Sequence, residues 1–302
     1  MLSAIIAVTL TAPDLRATED AYTQYLDFKV VERGEVSRDL ASTWGAPLAE
    51  GRKFSLLQSS SGAEVFLRIV QSPATPGYEV MKTHGWNSNE ILCQDPDALA
   101  LRLAKSPFRI IGAPRPLSSN AKVRAMQVIG PAGELVYLTR IPPEGGAAIK
   151  TPAATYVDRT FIVVLGGPNM AAMRDFYAKQ LRMKVTEAYA SPINVLNDAW
   201  QLPADNPTPL ALVLISPGFA VELDQYPVKA IPRPIRPGDL PPGIAMISFA
   251  ASGLESGNLT WKVPLATRAG NIYRGRRSGM LQGMAGEWIE IIEKSVMERP
   301  AN

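Results

Sequence analysis

Hydrophobic and polar residues alternate along this chain in short runs, and the runs recur in one order. Residues 4–12 (AIIAVTLTA) read as a strand. Asp14, after Pro13, is placed to cap a helix over DLRATEDAYTQYL, in which Tyr22, Tyr25 and Leu26 share one face. FKVVERGEV, RKFSLLQSS and AEVFLRIVQ follow as three strands separated by turn residues. The unit is therefore strand, helix, strand, strand, strand. A second copy runs from NSNEILCQ (87–94) through the helix DPDALALRLA to FRIIG, AKVRAMQVIG and GELVYLTRI. A third has TFIVVLGG (160–167), a helix MAAMRDFYAKQL capped by Asn169, then MKVTEAYA and LALVLISP. A fourth has IAMISFAA (244–251), a short helix in SGLESGNLTWKV, and strands near NIYRG, SGMLQG and EWIEIIEK.

Two copies also match residue by residue. Residues 124–140 (RAMQVIGPAGELVYLTR) align without gaps on 277–293 (RSGMLQGMAGEWIEIIE). Arg124, Gly130, Ala132, Gly133 and Glu134 then fall on Arg277, Gly283, Ala285, Gly286 and Glu287. Such self-similarity marks a chain built from repeats of one unit. The expected fold class is α+β, four βαβββ modules paired into two domains. Neighbouring units are expected to pair. Residues 1–141 form an N-terminal domain (units 1 and 2), 142–158 a linker rich in Pro, Gly and Ala, and 159–302 a C-terminal domain (units 3 and 4). The stretch GFAVELDQYPVKAIPRPIRPGDLPPG carries six prolines and reads as a rigid surface loop or a lid.

Composition narrows the classes. Charged residues make up 20% of the 302 and the net charge is only +3, so nothing points to nucleic acid. Cys93 is the single cysteine, which rules out an internal disulfide framework and a cysteine-rich metal site. The apolar opening MLSAIIAVTLTAPD lacks a basic region and reads as a strand rather than a signal peptide, and no apolar run is long enough to cross a bilayer. A cytoplasmic protein with a small-molecule substrate, no nucleic-acid or membrane partner and no cofactor is expected; a homodimer is left open.

Asp14 with Ala21-Tyr22, Asn169 with Phe176-Tyr177, and the strand ends that begin at Gly133-Glu134 and Gly286-Glu287 resemble the vicinal oxygen chelate superfamily, the glyoxalase, bleomycin-resistance and ring-cleaving dioxygenase group. The resemblance covers nearly the whole chain. It implies paired units whose sheets curl into cups that hold substrate, usually with a divalent metal. It also implies metal ligands at a His or Gln early in a unit's first strand and at a Glu near the middle of its last. Here the first-strand positions are read as Ala7, Ser88, Ile162 and Met246. The last-strand positions are read as Phe66, Tyr137 and Glu290, with the third unit's somewhere in Leu210–Ile215. Only Glu290 keeps ligand chemistry. A ring-cleaving ferrous site needs two imidazoles, and His84 is the one histidine, so that chemistry is excluded unless another chain completes the site.

Strand alternation puts Trp288, Glu290 and Ile292 on the cup face and Ile289 and Ile291 on the helix face. Ile162, Met246 and Ser248 join the expected apolar wall. Burial in such a wall disfavours an ionised carboxylate, which suits Glu290 to move protons near neutral pH. Arg274 or Arg277, in the basic cluster before that strand, is expected to reach in and hold an oxygen anion. The bland alternatives are an arginine-paired glutamate and a solvated hairpin. In the first half Thr9, Glu64, Phe66, Arg68, Tyr137 and Thr139 face a cup, with Glu64 and Arg68 neutralising each other. His84 reads as a loop residue, or as a general base if it reaches a cup. Three functions follow. One is a metal-independent lyase or isomerase acting on a small, largely apolar oxygenated or aromatic compound. The second is a sequestering, resistance-type binding protein. The third is a metal-dependent glyoxalase- or dioxygenase-like enzyme.

Overall fold

The computed structural model describes residues 2–117, 120–144, 151–216, 218–254 and 259–294. Unit 1 comprises β1 (Leu2–Ala12), α1 (Leu15–Tyr25), β2 (Lys29–Glu35), a helix α2 (Arg38–Trp44) with a 3-10 turn at Pro47–Ala49, then β3 (Lys53–Gln58) and β4 (Phe66–Gln71). Unit 2 comprises β5 (Gly85–Cys93), α3 (Pro96–Leu103), β6 (Arg109–Leu117), β7 (Asn120–Ile129) and β8 (Leu135–Arg140). Unit 3 has β9 (Val157–Gly167) and α4 (Met170–Asp175), which runs on as a π-turn over Phe176–Gln180. It continues with β10 (Lys184–Val185), β11 (Tyr189–Pro192), α5 (Asn194–Trp200), β12 (Pro207–Ser216) and β13 (Phe219–Gln225). Unit 4 comprises β14 (Ile244–Ala251), β15 (Val263–Thr267), β16 (Arg277–Gln282) and β17 (Trp288–Glu293).

The helix starts follow local chemistry. Asp14, Asp95 and Asn169 each accept backbone N–H bonds from the first turn of α1, α3 and α4, at 2.9 to 3.0 Å. Two inserted elements, α2 and α5, went unpredicted. The residues NIYRG form a turn rather than a strand, and part of the predicted fourth helix, 255–258, lies outside the described residues. So do residues 145–150 of the predicted linker, and Val157 already belongs to β9.

Unit pairing departs from the expectation of neighbouring halves. One sheet runs β15-β16-β17-β14-β1-β4-β3-β2 and joins unit 4 to unit 1 through antiparallel β1 and β14. The other runs β10-β12-β13-β9-β5-β8-β7-β6 and joins units 2 and 3 through antiparallel β5 and β9. The division at 142–158 therefore separates covalent halves but not sheets. A shared core of Ile5, Val8, Trp86, Ile91, Leu165 and Ile289, among others, fills the space between the two sheets and α1, α3 and α4.

What ties unit 1 to unit 2, and unit 3 to unit 4, is the duplicated G-x-A-G-E turn. Glu134 folds back to accept the Ala132 N–H at 3.0 Å and the Tyr22 hydroxyl of α1 at 2.8 Å. Glu287 accepts the Ala285 N–H at 2.8 Å and the Tyr177 hydroxyl at 3.3 Å. Gly130 and Gly283 are needed because a Cβ there would collide with these carboxyls, and Gly133 and Gly286 adopt left-handed φ of +84° and +79°. The repeat seen in the sequence is therefore a pair of buried clamps.

The proline-rich segment divides. Its first residues form β13, so the expectation of a loop throughout is corrected there. The rest is a strap between the sheets. Arg233 fixes it by donating to the carbonyls of His84, Trp86, Pro242 and Ile244 at 2.5 to 3.2 Å.

The cup of units 1 and 4 is filled at its centre. Ser37 caps α2 by accepting the Leu40 N–H at 3.1 Å, and Gly45 ends it in a left-handed conformation. This plugs Trp44, Ala46 and Ala49 against Phe54, Phe66, Met246 and Trp288. At the centre Arg68 donates to Glu290 Oε2 at 3.0 Å, to Thr9 Oγ1 at 3.0 Å and to the Tyr273 hydroxyl at 2.9 Å. Glu290 also accepts from Tyr273 at 2.7 Å, Trp44 Nε1 at 3.2 Å and Ser248 Oγ at 2.5 Å. Arg68 is 2% and Glu290 0% exposed.

Breaking such a pair from one side strands a buried charge, at a cost of about 3–5 kcal/mol. Arg68→Met is expected to destabilise by that amount, and the double change R68M/E290L by much less. Equilibrium denaturation of both single variants and the double variant measures this, and simple additivity would contradict it.

The clamps set a pH dependence. Burial pushes Glu134 and Glu287 up to about 7. An unfolded chain releases these protons near pH 4.3, roughly. Raising pH through that window therefore favours unfolding, and the contribution present at low pH is lost. Glu19 works oppositely: hydrogen bonds from Arg33 and Ser55 hold it low, so its contribution disappears as pH falls below the ordinary glutamate range. The melting temperature is expected to be highest near pH 5 to 6 and lower at pH 8. E134Q/E287Q should shrink that fall; an unchanged fall in the double variant would show that the clamps do not titrate.

Candidate functional site

The cup of units 2 and 3 is open and encloses about 680 Å³. Its floor is the sheet centre. Register places Gln127, Tyr137 and Glu90 in one row across β7, β8 and β5, and Val164, Glu222 and Leu212 in another across β9, β13 and β12. Phe161, Ile162, Val123 and Ile141 supply apolar wall, while β11 and α5 form the mouth with Tyr189, Ile193 and Val195. Arg115 stands exposed at the rim and is the only lysine or arginine among the described lining residues. The helix that plugs the closed cup has its counterpart in α5. Here Val195 and Leu196 pack on Met81 and Leu135 beside the cavity rather than across it.

Glu90 and Glu222 line this cup at the sheet floor, exposed Asp205 lines it as well, and buried Asp224 adjoins Glu222 on β13 without lining the cavity. Glu90 is buried, accepts from Thr139 Oγ1 at 2.5 Å, and is raised to about 8, by burial first and then by the negative charge of Glu222. Glu222 and Asp224, two positions apart on β13, share a face and a hydrogen bond. Burial drives both upward, and for Asp224 the adjacent Glu222 adds to the rise. Two carboxyl groups joined by a hydrogen bond hold a proton between them. Asp224 Oδ1 and Gln127 Oε1 are buried acceptors with no hydrogen-bond partner.

The predicted site residues are dispersed. Glu290, Ser248, Met246 and Trp288 lie in the closed cup, where four side chains already occupy the Glu290 carboxylate; it is not a bare acid in an apolar wall. The expectation that Arg274 or Arg277 reaches inward is corrected. Arg274 turns outward to Glu64 at 2.7 Å, and Arg277 pairs with Glu293 at 2.6 and 2.8 Å. Glu64 and Arg68 therefore do not neutralise each other. Tyr137 and Ile162 do line the open cup. His84 sits under the strap, outside the lining of either cavity, with its pKa lowered by burial and by Arg233. A smaller cavity of about 280 Å³, between α2, β2 and the turn at 268–273, has Arg68 and Tyr273 in its wall.

Register also corrects the carried-over positions. The residues that pair at the centre of each unit are Thr9 with Arg68, Glu90 with Tyr137, Val164 with Glu222, and Ser248 with Glu290. The first-strand positions therefore lie two residues beyond Ala7, Ser88, Ile162 and Met246, and Arg68 replaces Phe66. The third unit's position is Glu222, on the strand taken for loop. In the closed cup a guanidinium fills the centre. In the open cup Glu90 and Glu222 face Tyr137 and Val164, and no three His, Cys, Asp or Glu side chains among the described residues converge in a way that could hold a metal ion. The donor set does not fit the divalent metal that the fold implies.

Glu90 was legible by alternation. In NSNEILC its neighbours Ile91 and Cys93 face the shared core, so its own side chain had to face a cup. Among the described residues no helix is long and apolar enough to cross a membrane.

No protein-family model matches the chain, and no curated protein matches it. Solved structures do. Glyoxalase I from Zea mays is 12% identical and superposes with a TM-score of 0.63 over 96% of this chain and 92% of that one. A putative dioxygenase from Bacillus subtilis subsp. subtilis str. 168, also 12% identical, has a TM-score of 0.61 over 97% and 85%. At such identity the likeness is one of fold, and with four repeated units forming two curled sheets, three of them with a described helix after their first strand, the chain has the vicinal oxygen chelate fold.

Proposed function

We propose that the open cup is the active site of an enzyme that moves protons on a small, largely apolar oxygenated or aromatic compound, as a lyase or isomerase. One observation carries this reading: Glu90, raised to about 8, lines a cavity of about 680 Å³ with apolar walls. A carboxyl that keeps its proton at neutral pH is a general acid. Glu222, on the neighbouring row, is the base once it is ionised. Glu222 takes a proton from carbon next to a carbonyl while Glu90 gives one to the carbonyl oxygen, and an enol results. With an α-hydroxy or β,γ-unsaturated substrate, the enediol or dienol takes a proton from Glu222 at the distal carbon and returns a hydroxyl proton to Glu90; with a leaving group on the β carbon, that group departs with its bonding electron pair, protonated by Glu222, while the enol hydroxyl returns its proton to Glu90. Tyr137 and Thr139, beside Glu90, orient the oxygen and the acid. The leading role expected for Glu290 passes to Glu90 and Glu222.

A second reading, capture without turnover, is favoured by the aliphatic and aromatic wall alone. Deuterium exchange separates the two. Incubation in heavy water with a panel of small aryl and alkyl ketones should incorporate deuterium next to the carbonyl, read by mass spectrometry. Glu90→Gln is expected to slow exchange by about 100-fold or more while binding persists. The rate should fall as pH rises past about 8, where Glu90 loses its proton. Equal exchange in the wild type and E90Q would refute the enzyme reading, and binding without exchange would establish capture.

A further inference from the structure

The two cups fill the same four central positions differently. In the closed cup they are Thr9, Arg68, Ser248 and Glu290, and the acid has its own cation at 3.0 Å. In the open cup they are Glu90, Tyr137, Val164 and Glu222. Tyr137 stands where Arg68 would, so the acid of unit 3 has no arginine beside it. Meanwhile the acids have increased to three, since Asp224 adjoins Glu222 on the same face of β13.

The unpartnered atoms point the same way. Asp224 is 3% exposed with Oδ1 unbonded, and Gln127, which lines the cavity, is 5% exposed with Oε1 unbonded. Both are acceptors. What satisfies them brings donors, and what satisfies Asp224 and Glu222 together brings positive charge, because buried carboxylates are held by paired cations. An ammonium group offers three donors and no acceptor. The remaining wall, Phe161, Ile162 and Leu212, is apolar and suits a hydrocarbon body.

We infer that the open cup takes a small amphiphilic cation, with an ammonium head seated on Glu222 beside the buried Asp224 and an apolar body against Phe161, Ile162 and Leu212. The inference rests on the open cup being the working site, and it names the substrate class for that site. The arriving cation supplies the charge that Arg68 supplies in the closed cup. It displaces the proton shared by Glu222 and Asp224 and so leaves Glu222 ionised as the base. The other titratable groups around this pair are Glu90, Tyr137, Tyr189 and Tyr226, none of them a cation; the nearby guanidinium groups, Arg115 towards Tyr137 and Arg233 towards Tyr226, act on those tyrosines.

Three probes of one shape test this: 2-phenylethylamine, 2-phenylethanol and phenylacetate, titrated calorimetrically near pH 7.5. The amine is expected to bind at least ten-fold tighter than the alcohol, and phenylacetate weakest. Asp224→Asn and Glu222→Gln, each of which removes one like charge and keeps shape, should each lose at least ten-fold for the amine and leave the alcohol unchanged. Thermal melts confirm that both variants fold. Arg115→Gln, at the rim, should leave the amine's affinity equal or stronger. If the alcohol or phenylacetate binds as tightly as the amine, the cation assignment falls and the proton-transfer reading stands. If none of the three binds, both fall.

Discussion

A βαβββ unit leaves one edge of its first strand unpaired, and the architecture follows from how those edges close. β1 pairs in parallel with β4 of its own unit, and its other edge must find hydrogen bonds elsewhere. It finds them on β14, as β5 finds them on β9. Each joint runs antiparallel through the middle of a sheet, so two units become one continuous surface that curls around a cup. The partners are far apart in sequence for β1 and β14 and close for β5 and β9, yet the joints are alike. The clamps of Glu134 and Glu287 then cross-link what the sheets leave separate, because Tyr22 of unit 1 reaches unit 2 and Tyr177 of unit 3 reaches unit 4. Sheets join 1 to 4 and 2 to 3, and clamps join 1 to 2 and 3 to 4. Every unit is held by two others.

The same backbone frame then supports opposite interiors. In units 1 and 4 the inserted α2 carries Trp44 into the cup, and the remaining polar groups close on one another. Arg68 and Glu290 are tolerated there because each finds several hydrogen-bonding partners, the condition under which buried charge persists. In units 2 and 3 the inserted α5 stops at the mouth, packed on Met81 and Leu135, and the acids on the floor have neither a plug nor a cation. Raised acid pKa values and unpartnered oxygens are what burial without a partner produces. The difference between the cups comes from where the inserted helix lies and from a few side chains at equivalent positions, not from a change of fold.

Much of this was legible in the sequence and some was not, for definite reasons. Unit order, three helix caps, and the opposite facing of Trp288 and Ile289 follow from alternation and capping, which are local. The Glu134 and Glu287 turns were visible as a repeat, although their purpose required Tyr22 and Tyr177 from other units. Unit pairing is a long-range choice between strand edges that no local pattern encodes. The inserted α2 was readable from Ser37 and Gly45 but was hidden in a long interval between strands. Glu222 was missed because the prolines that follow it made a strand look like a loop. Arg68 was displaced by a two-residue error, which preserves the face of a strand and therefore leaves no trace in its hydrophobic pattern.

That last error shows where inference about such a cup is fragile and where it is firm. A shift of two keeps every side chain on its side, so cup-facing and core-facing residues sort correctly even when the central position is wrong. What changes is the identity of the group at the centre. At unit 1 the difference between Phe66 and Arg68 is the difference between an apolar floor and a built-in cation. Once register fixes Arg68, Glu290 ceases to be an acid awaiting a substrate and becomes half of a buried pair. Chemistry must then be sought where an acid occupies the equivalent place and the pair is incomplete. Glu222 occupies that place, with Asp224 and Glu90 beside it and Tyr137 where the cation would stand. The closed cup thus supplies the reference against which the open one is read.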